Sequence, residues 1–512
     1  MRIRVSRYVV FLVFFLNVVL LLLMCRMLGN FALPKRRQSV DHVRIVGVTE
    51  IPKAIEENLT VIVRKFEHFE NDVSGTVESF LSLYPNLRVL IVSDSIPYPP
   101  FTWRTSNVSL ERVKIVTLKL SLTDSSNSNP LSLICTKYVL FVPDSTRIRS
   151  ENVLNSMILE IQKRPTYLVS AAFQDTRAVE CLKVNLNARE WYIEYSTTED
   201  DVCDSVSGNH AILVATETIK KLPVVFMLPF PEALYIQAAA QNIKVKLLRQ
   251  GGLTEGQPLY KSSHAYWKLQ QLHQRRLKDM YREFGLKKVV RETGVVEWYG
   301  CNRNTARCFG TVVDDIPQYL WEGKWTPPCC LAGLRRTARH VFDQLDESGV
   351  RYWLEGGSLL GAMRSSDILP WDYDVDLGFY RDDISRCHWL LRAQKQSIID
   401  SDGFVWEKAP EGEFFRVQYS QSNHLHVDLF PFYEVNGTMT KDTWFPTHKQ
   451  DREFPEYFLH PMSSIEFIGR QVPAPNNIRD FLELKFGKNV IENPEYPNPS
   501  KLKFSMGGNL PP

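Results

Sequence analysis

Val350–Tyr380 reads VRYWLEGGSLLGAMRSSDILPWDYDVDLGFY. Val350–Leu354 has the make-up of a strand, Glu355-Gly356-Gly357-Ser358 of a tight turn, and Leu359–Arg364 of a short helix. Two glycines let a backbone come close to a phosphate. A helix N-terminus adds free N–H groups and the positive end of a dipole. Trp371–Phe379 then reads as a second strand, with Asp372, Asp374 and Asp376 on one face and Tyr373, Val375 and Leu377 on the other. Three carboxylates side by side in a low-dielectric site repel by roughly several kcal/mol unless cations neutralise them. A solvated edge strand is the plain alternative. The apolar alternates argue against it, because they call for burial on the opposite face.

Downstream, His424-Leu-His-Val-Asp-Leu-Phe430 alternates in the same way and brings a fourth acid, Asp428, onto another strand. A Gly-rich turn with Ser358, two acids at i and i+2, and an acid on a neighbouring strand is the constellation of a nucleotidyltransferase. There the carboxylates hold one or two Mg²⁺ (or Mn²⁺) ions that bridge phosphates during in-line attack by a hydroxyl. Asp374 and Asp376 are the best ligands, Asp372 forms the same local pattern with Asp374, and Asp428 completes the site and activates the acceptor hydroxyl. Arg364 follows the turn and can neutralise a pyrophosphate, as can His448 or Lys449, for which surface charge is an equal alternative. Glu492-Asn493-Pro494, beside Tyr496, suits closure over a base.

Upstream, Leu331–Ser348 is an amphipathic helix, and before it four of the nine cysteines fall within thirty residues: Cys301, Cys308, Cys329 and Cys330. Two crossed disulfides and one four-thiolate zinc site both remain open. Tetrahedral zinc accommodates adjacent thiolates more easily and is favoured. The expected catalytic domain is 300–512, including this element at 301–330.

Further upstream the pattern changes to alternating strands (Leu59–Lys65, Leu87–Val92, Val113–Leu118, Tyr138–Val142, Tyr167–Ala171, Ala211–Ala215) and helices (Asp72–Leu83, Glu151–Gln162). This is a layered α/β domain with a partly parallel sheet, 58–299. It is like the nucleotide-sugar half of a glycosyltransferase, but Pro143-Asp144-Ser145 after YVLFV carries one acid where a metal site needs two. The domain is expected to be non-catalytic. Cys181 and Cys203 within it are candidates for a disulfide in an oxidising compartment.

Tyr8–Cys25 is eighteen residues without a charge, roughly 27 Å as a helix. No small-residue cleavage site follows, so it reads as a signal anchor, with 1–7 a cytoplasmic tail and 26–57 a stem linker. Sequons at Asn58, Asn107 and Asn436 fit a lumenal body. Sixty-one Lys and Arg against 58 acids leave a net charge of +3, which excludes a nucleic-acid binder. The fold class expected is thus α/β plus α+β, behind a single N-terminal membrane anchor.

The motifs WLEGGSLLGAMR, ILPWDYDVDLG and HLHVDLF resemble the LicD family of phosphotransferases. WYGCNRNTARCFGTVV, WTPPCC and IENPEYPNP resemble its fukutin-related branch. The resemblance implies a Golgi type II membrane enzyme that transfers ribitol 5-phosphate from CDP-ribitol to a ribitol phosphate on the O-mannosyl glycan of α-dystroglycan. It implies zinc at Cys301, Cys308, Cys329 and Cys330, and Mg²⁺ at Asp372, Asp374, Asp376 and Asp428. Gly356, Gly357, Ser358, Arg364, Trp371, Asp372, Tyr373, Lys449, Glu492, Asn493 and Pro494 would then bind the nucleotide. Fukutin and other Golgi glycan enzymes are the implied partners, and a homo-oligomer is compatible. Three alternatives stand beside it: a transferase for another CDP-alcohol such as choline or glycerol, a hydrolase using His424, His426 and Asp428, and an inactive lumenal scaffold.

Overall fold

The structure, a computed structural model, describes residues 51–493 apart from 104–109, 119–128, 175–178, 306–311, 314–315 and 447. From Pro52 the described residues form one packed unit.

The first half is built on a nine-stranded mixed sheet. Its central strands are buried along their whole length and almost wholly apolar, because helices cover both faces. In Leu59–Val63 and Tyr138–Val142 every residue is buried. Val61, Val63 and Leu140 pack with Val77, Phe80, Leu154 and Met157 on one side, while Ile62, Phe141 and Ile212 pack with Phe230, Leu234 and Tyr235 on the other. Leu59–Val63 pairs in parallel with Arg88–Ser93 and with Tyr138–Val142. His210–Ala215 enters antiparallel beside the latter. A smaller five-stranded sheet includes Cys181–Asn187 and Tyr192–Thr198. Cys181 and Cys203 are joined by a disulfide, with Cα atoms 5.6 Å apart.

The second half carries the sequence of elements around the acids. They are helix α1 (Pro328–Glu347), strand β1 (Tyr352–Leu354), helix α2 (Gly356–Ser365), strand β2 (Asp374–Tyr380), strand β3 (Phe415–Gln418), strand β4 (His426–Val435) and helix α3 (Ile478–Phe486). β1 pairs antiparallel with β2, β2 parallel with β4, and β4 antiparallel with β3. α1 buries Leu334, Ala338, Val341, Phe342 and Leu345 in the core that also holds Trp353, Val375, Leu377 and Val427.

The fold class needs correction at its membrane anchor. Among the described residues no helix is long and apolar enough to cross a membrane, and the fold they form is mixed α/β. The tail 1–7, the run 8–25 and most of the stem 26–57 lie outside the described residues, as do Asn107, Cys308 and Pro494. Asn58 and Asn436 are exposed.

Candidate active site

β1 and α2 meet at the glycine pair. Glu355 is extended and Gly356 takes φ +52°, a left-handed value that glycine enters without strain. The helix therefore begins at Gly356, three residues earlier than its composition suggests. The N–H groups of Gly356 and Gly357 precede the first intrahelical bond. Both glycines leave space that acids fill. A Cβ on Gly356 would stand 3.3 Å from Asp376 Oδ2, and one on Gly357 only 2.8 Å from Asp372 Oδ2. Ser358 Oγ accepts the Asp376 N–H at 2.9 Å, tying the start of the helix to β2.

The strand carrying the acids is shorter at its start than expected. It begins at Asp374, because Trp371 is buried in the core and the Asp372 N–H donates to the Leu369 carbonyl in a turn. Asp372 thus reaches the site from the approach to β2 and does not share the strand face with Asp374 and Asp376. Tyr373 is half-buried against the same core. Asp376 lies directly opposite Asp428, and Asp374 opposite His426, in the β2–β4 ladder. His424 precedes β4 and bonds Gln418.

Burial pushes the Asp372 carboxyl well up, and the charge of Asp374 adds to the effect. Burial also raises Asp374, with Asp428 contributing, and it raises Asp376 strongly, with Asp374, Asp428 and Asp372 contributing. No basic side chain forms a salt bridge with these three among the described residues. An oxygen-only donor set, half-buried and without a salt-bridge partner among the described residues, fits a hard divalent cation such as Mg²⁺ or Mn²⁺.

Asp428 differs from the other three. Arg416, facing it from β3, donates Nε to Oδ1 at 2.9 Å and Nη2 to Oδ2 at 3.0 Å. A carboxylate clamped through both oxygens by one guanidinium is fixed in its plane and keeps its outer lone pairs for a further partner.

Two of the other expected residues hold partners outside the acid cluster. Arg364 gives two of its nitrogens to backbone carbonyls. Its Nε donates to the Ile491 carbonyl at 3.2 Å and its Nη2 to the carbonyls of Val490 and Asn493, which holds the Val490–Asn493 segment against α2. Only Nη1 is buried without a partner among the described residues. Glu492 pairs with Arg479 at 2.7 Å, and the Lys449 side chain is exposed.

In the cysteine cluster, Cys301 and Cys329 are joined as a disulfide, and the Cys330 sulfur lies 3.6 Å from that of Cys301. The pairing takes the disulfide branch for two of the four cysteines. The three sulfurs lie within 4.8 Å of one another, and with the pair reduced they would form a thiolate set suited to zinc. Cys330, in the first turn of α1, lies in the same core as Tyr319 and as Trp371 and Val375, the neighbours of Asp372, Asp374 and Asp376 in sequence. The first half reaches the same place. Trp191 Nε1 donates to the Trp325 carbonyl at 2.7 Å, and the Trp191 ring meets Tyr319 edge-on.

Three residues around the site escape a reading of the sequence. Besides Arg416, Lys485 pairs with Glu355 at 2.7 Å, both buried. Lys441 lies among Phe430, Trp444 and Phe445 and pairs with Asp451 at 2.7 Å. Only the alternation Phe-Arg-Val-Gln in β3 hints at one of them, Arg416, as a residue on a polar face.

Residues 349–477 match the family model described as LicD/FKTN/FKRP, nucleotidyltransferase domain, and residues 46–292 match the one described as Fukutin-related protein stem domain. The chain is 45% identical over 456 residues to "Ribitol 5-phosphate transferase FKRP" of Mus musculus, covering 89% of this chain and 91% of that one. It belongs to the fukutin-related protein family. The corresponding Homo sapiens protein is also 45% identical, over 452 residues, with 88% and 90% covered. A more distant member of the wider group, "Ribitol-5-phosphate transferase FKTN" of Homo sapiens, is 27% identical over 146 residues, 28% of this chain and 30% of that one. In the fukutin-related family, then, the glycine pair, the acids and the cysteine cluster of this chain all belong to the half with the nucleotidyltransferase domain or to its immediate approach.

Proposed function

We propose that this fukutin-related family member is a ribitol 5-phosphate transferase that uses CDP-ribitol as donor and a ribitol phosphate on the O-mannosyl glycan of α-dystroglycan as acceptor. The observation that carries the reading is the 45% identity over nine-tenths of both chains to proteins named for ribitol 5-phosphate transfer, with the acidic site intact. The acceptor hydroxyl oxygen forms a new bond to the ribitol-bearing phosphorus. The bond from that phosphorus to the bridging oxygen breaks, CMP leaves, and the hydroxyl proton passes to solvent or to the leaving group. Mg²⁺ or Mn²⁺, when bound, offsets charge on the donor's phosphates.

The chain's own residues set that chemistry up. Asp372, Asp374, Asp376 and Asp428 would hold the cation. The N–H groups of Gly356 and Gly357, at the positive end of α2, face an anionic phosphate. Ser358 fixes the register between that end and Asp376. Lys485 neutralises Glu355, so the carboxylate at the helix start does not repel the donor. Trp371 and Tyr373 form an apolar wall beside Asp372. The Val490–Asn493 segment, held by Arg364, lies where its side chains can approach a nucleotide bound at α2. Zinc at the cysteine cluster would be structural.

The Cys181–Cys203 disulfide supports an oxidising lumen, and we place the enzyme in the Golgi with fukutin and other glycan enzymes as its functional neighbours. The test is incubation of the purified protein with CDP-ribitol, CDP-choline and CDP-glycerol and a phosphorylated glycan acceptor, read by mass spectrometry. The expected result is one added ribitol phosphate per acceptor with stoichiometric CMP. Transfer from another CDP-alcohol alone overturns the donor. CMP release without acceptor points to a hydrolase.

A further inference from the structure

The sheet around the site carries one row of charges across four adjacent strands. Register sets Asp376 of β2 opposite Asp428 of β4, Asp428 opposite Arg416 of β3, and Arg416 opposite Glu407 of the next strand, Val405–Lys408. Like charges directly opposite each other on neighbouring strands repel, and the Asp376–Asp428 pair does so in a buried setting. Arg416 is the cation that this row supplies. Its planar fork meets both oxygens of Asp428, at 2.9 and 3.0 Å, and its remaining nitrogen, Nη1, reaches Glu411 at 3.1 Å. The side chains of Arg416 and Asp428 are 18% and 8% exposed, so the pair is sheltered from screening.

We infer that Arg416 is a positioning residue for phosphoryl transfer. It holds the Asp428 carboxylate in one plane, with the converging lone pairs on its guanidinium fork, and leaves an outer lone pair for a cation shared with Asp376. An isolated carboxylate would rotate about its own bond and swing away from Asp376. A lysine would meet Asp428 as a point charge without fixing that plane. Arg416 therefore acts through Asp428 and does not itself reach the donor. Its charge also opposes the attraction of the four acids for a cation. Removing it makes the site more negative while loosening its geometry. Positioning and affinity then separate, which simple damage to the fold would not produce.

The inference rests on the transferase reading, and its test is arranged so that the two can fail apart. Arg416→Gln and Arg416→Lys are made in the full chain. Each is measured for ribitol phosphate transfer under saturating CDP-ribitol and for Mn²⁺ binding by electron paramagnetic resonance titration without substrate. The expected result for Arg416→Gln is a kcat at least tenfold lower, a KM for CDP-ribitol within threefold of wild type, and Mn²⁺ bound no more weakly. Arg416→Lys should fall between the two in kcat, with Mn²⁺ binding unchanged. Wild-type kcat in either variant overturns the inference. Mn²⁺ affinity falling together with kcat also overturns it, because Arg416 would then serve the integrity of the site alone. If Arg416→Gln does not fold, Arg416→Lys decides by the same criteria. A wild-type protein that binds Mn²⁺ but does not use CDP-ribitol defeats the donor assignment. The kcat comparison is then made with whichever CDP-alcohol it does use.

Discussion

A carboxylate buried without a counter-charge is held toward its neutral form, and each further acid beside it adds to the cost. Asp372, Asp374 and Asp376, half-buried and without a salt-bridge partner among the described residues, are all held upward in this way. Replacing Asp374 or Asp376 with Asn removes one charge and keeps the shape. Transfer should fall by at least ~10²-fold, the scale of losing one strong electrostatic contact to the transition state. In cation-free buffer the thermal midpoint of the variant should match or exceed that of wild type, since repulsion has been relieved. A folded variant transferring near the wild-type rate would sink the assignment, and Asp372 would become the better candidate. EDTA should abolish wild-type turnover, with Mg²⁺ or Mn²⁺ restoring it; turnover that persists in EDTA would remove the cation from the site. The acids could be read from the chain because alternation within one strand is local. Arg416, Lys441 and Lys485 could not, since each reaches the site from another element.

Elements meet here with little spare room. Gly378 of β2 faces the ring of the buried Trp353 on β1, and a Cβ there would lie 2.3 Å from Trp353 Cε2. Gly378→Ala should therefore destabilise the protein by about 1–3 kcal/mol, seen as a lower urea midpoint, because the ring is packed and cannot yield. An unchanged midpoint would mean that β1 and β2 separate more easily than their packing implies. The join between α2 and α3 rests on Lys485 and Glu355, whose side chains are 1% and 10% exposed. Lys485→Met strands a buried carboxylate and should cost about 3–5 kcal/mol, while the double change with Glu355→Gln should recover part of it. A double variant no more stable than Lys485→Met would show that the loss comes from packing against Phe454 and Phe481 instead. Element type was legible along most of both halves, whereas starts were not. α2 begins early because Gly356 takes a positive φ, and β2 begins late because Asp372 is bonded in a turn.

Across the whole molecule, the first half contributes stability with its own pH signature. Asp144, after the strand Tyr138–Val142, is pushed up to about 7 by burial, although the N–H groups of Asp72 and Ser145 donate to it. Unfolded, it would ionise near its ordinary value of 3.8. Between the two values the folded state binds more protons, so this group's contribution to stability falls as pH rises and levels off above about 7. Asp144→Asn should flatten that decline and leave the protein more stable than wild type at pH 8. Parallel pH profiles of unfolding free energy for the two proteins would refute it. The sequence by itself determined the buried strands of the first half, the glycine turn, the acids of β2 and β4 and the family, because periodicity and motif spacing are properties of short stretches of chain. Tertiary structure alone decided that Arg416 faces Asp428, that Arg364 binds the Val490–Asn493 carbonyls and that Cys301 pairs with Cys329. These are meetings between segments from 12 to 129 residues apart, fixed by sheet register and helix packing that no local pattern encodes.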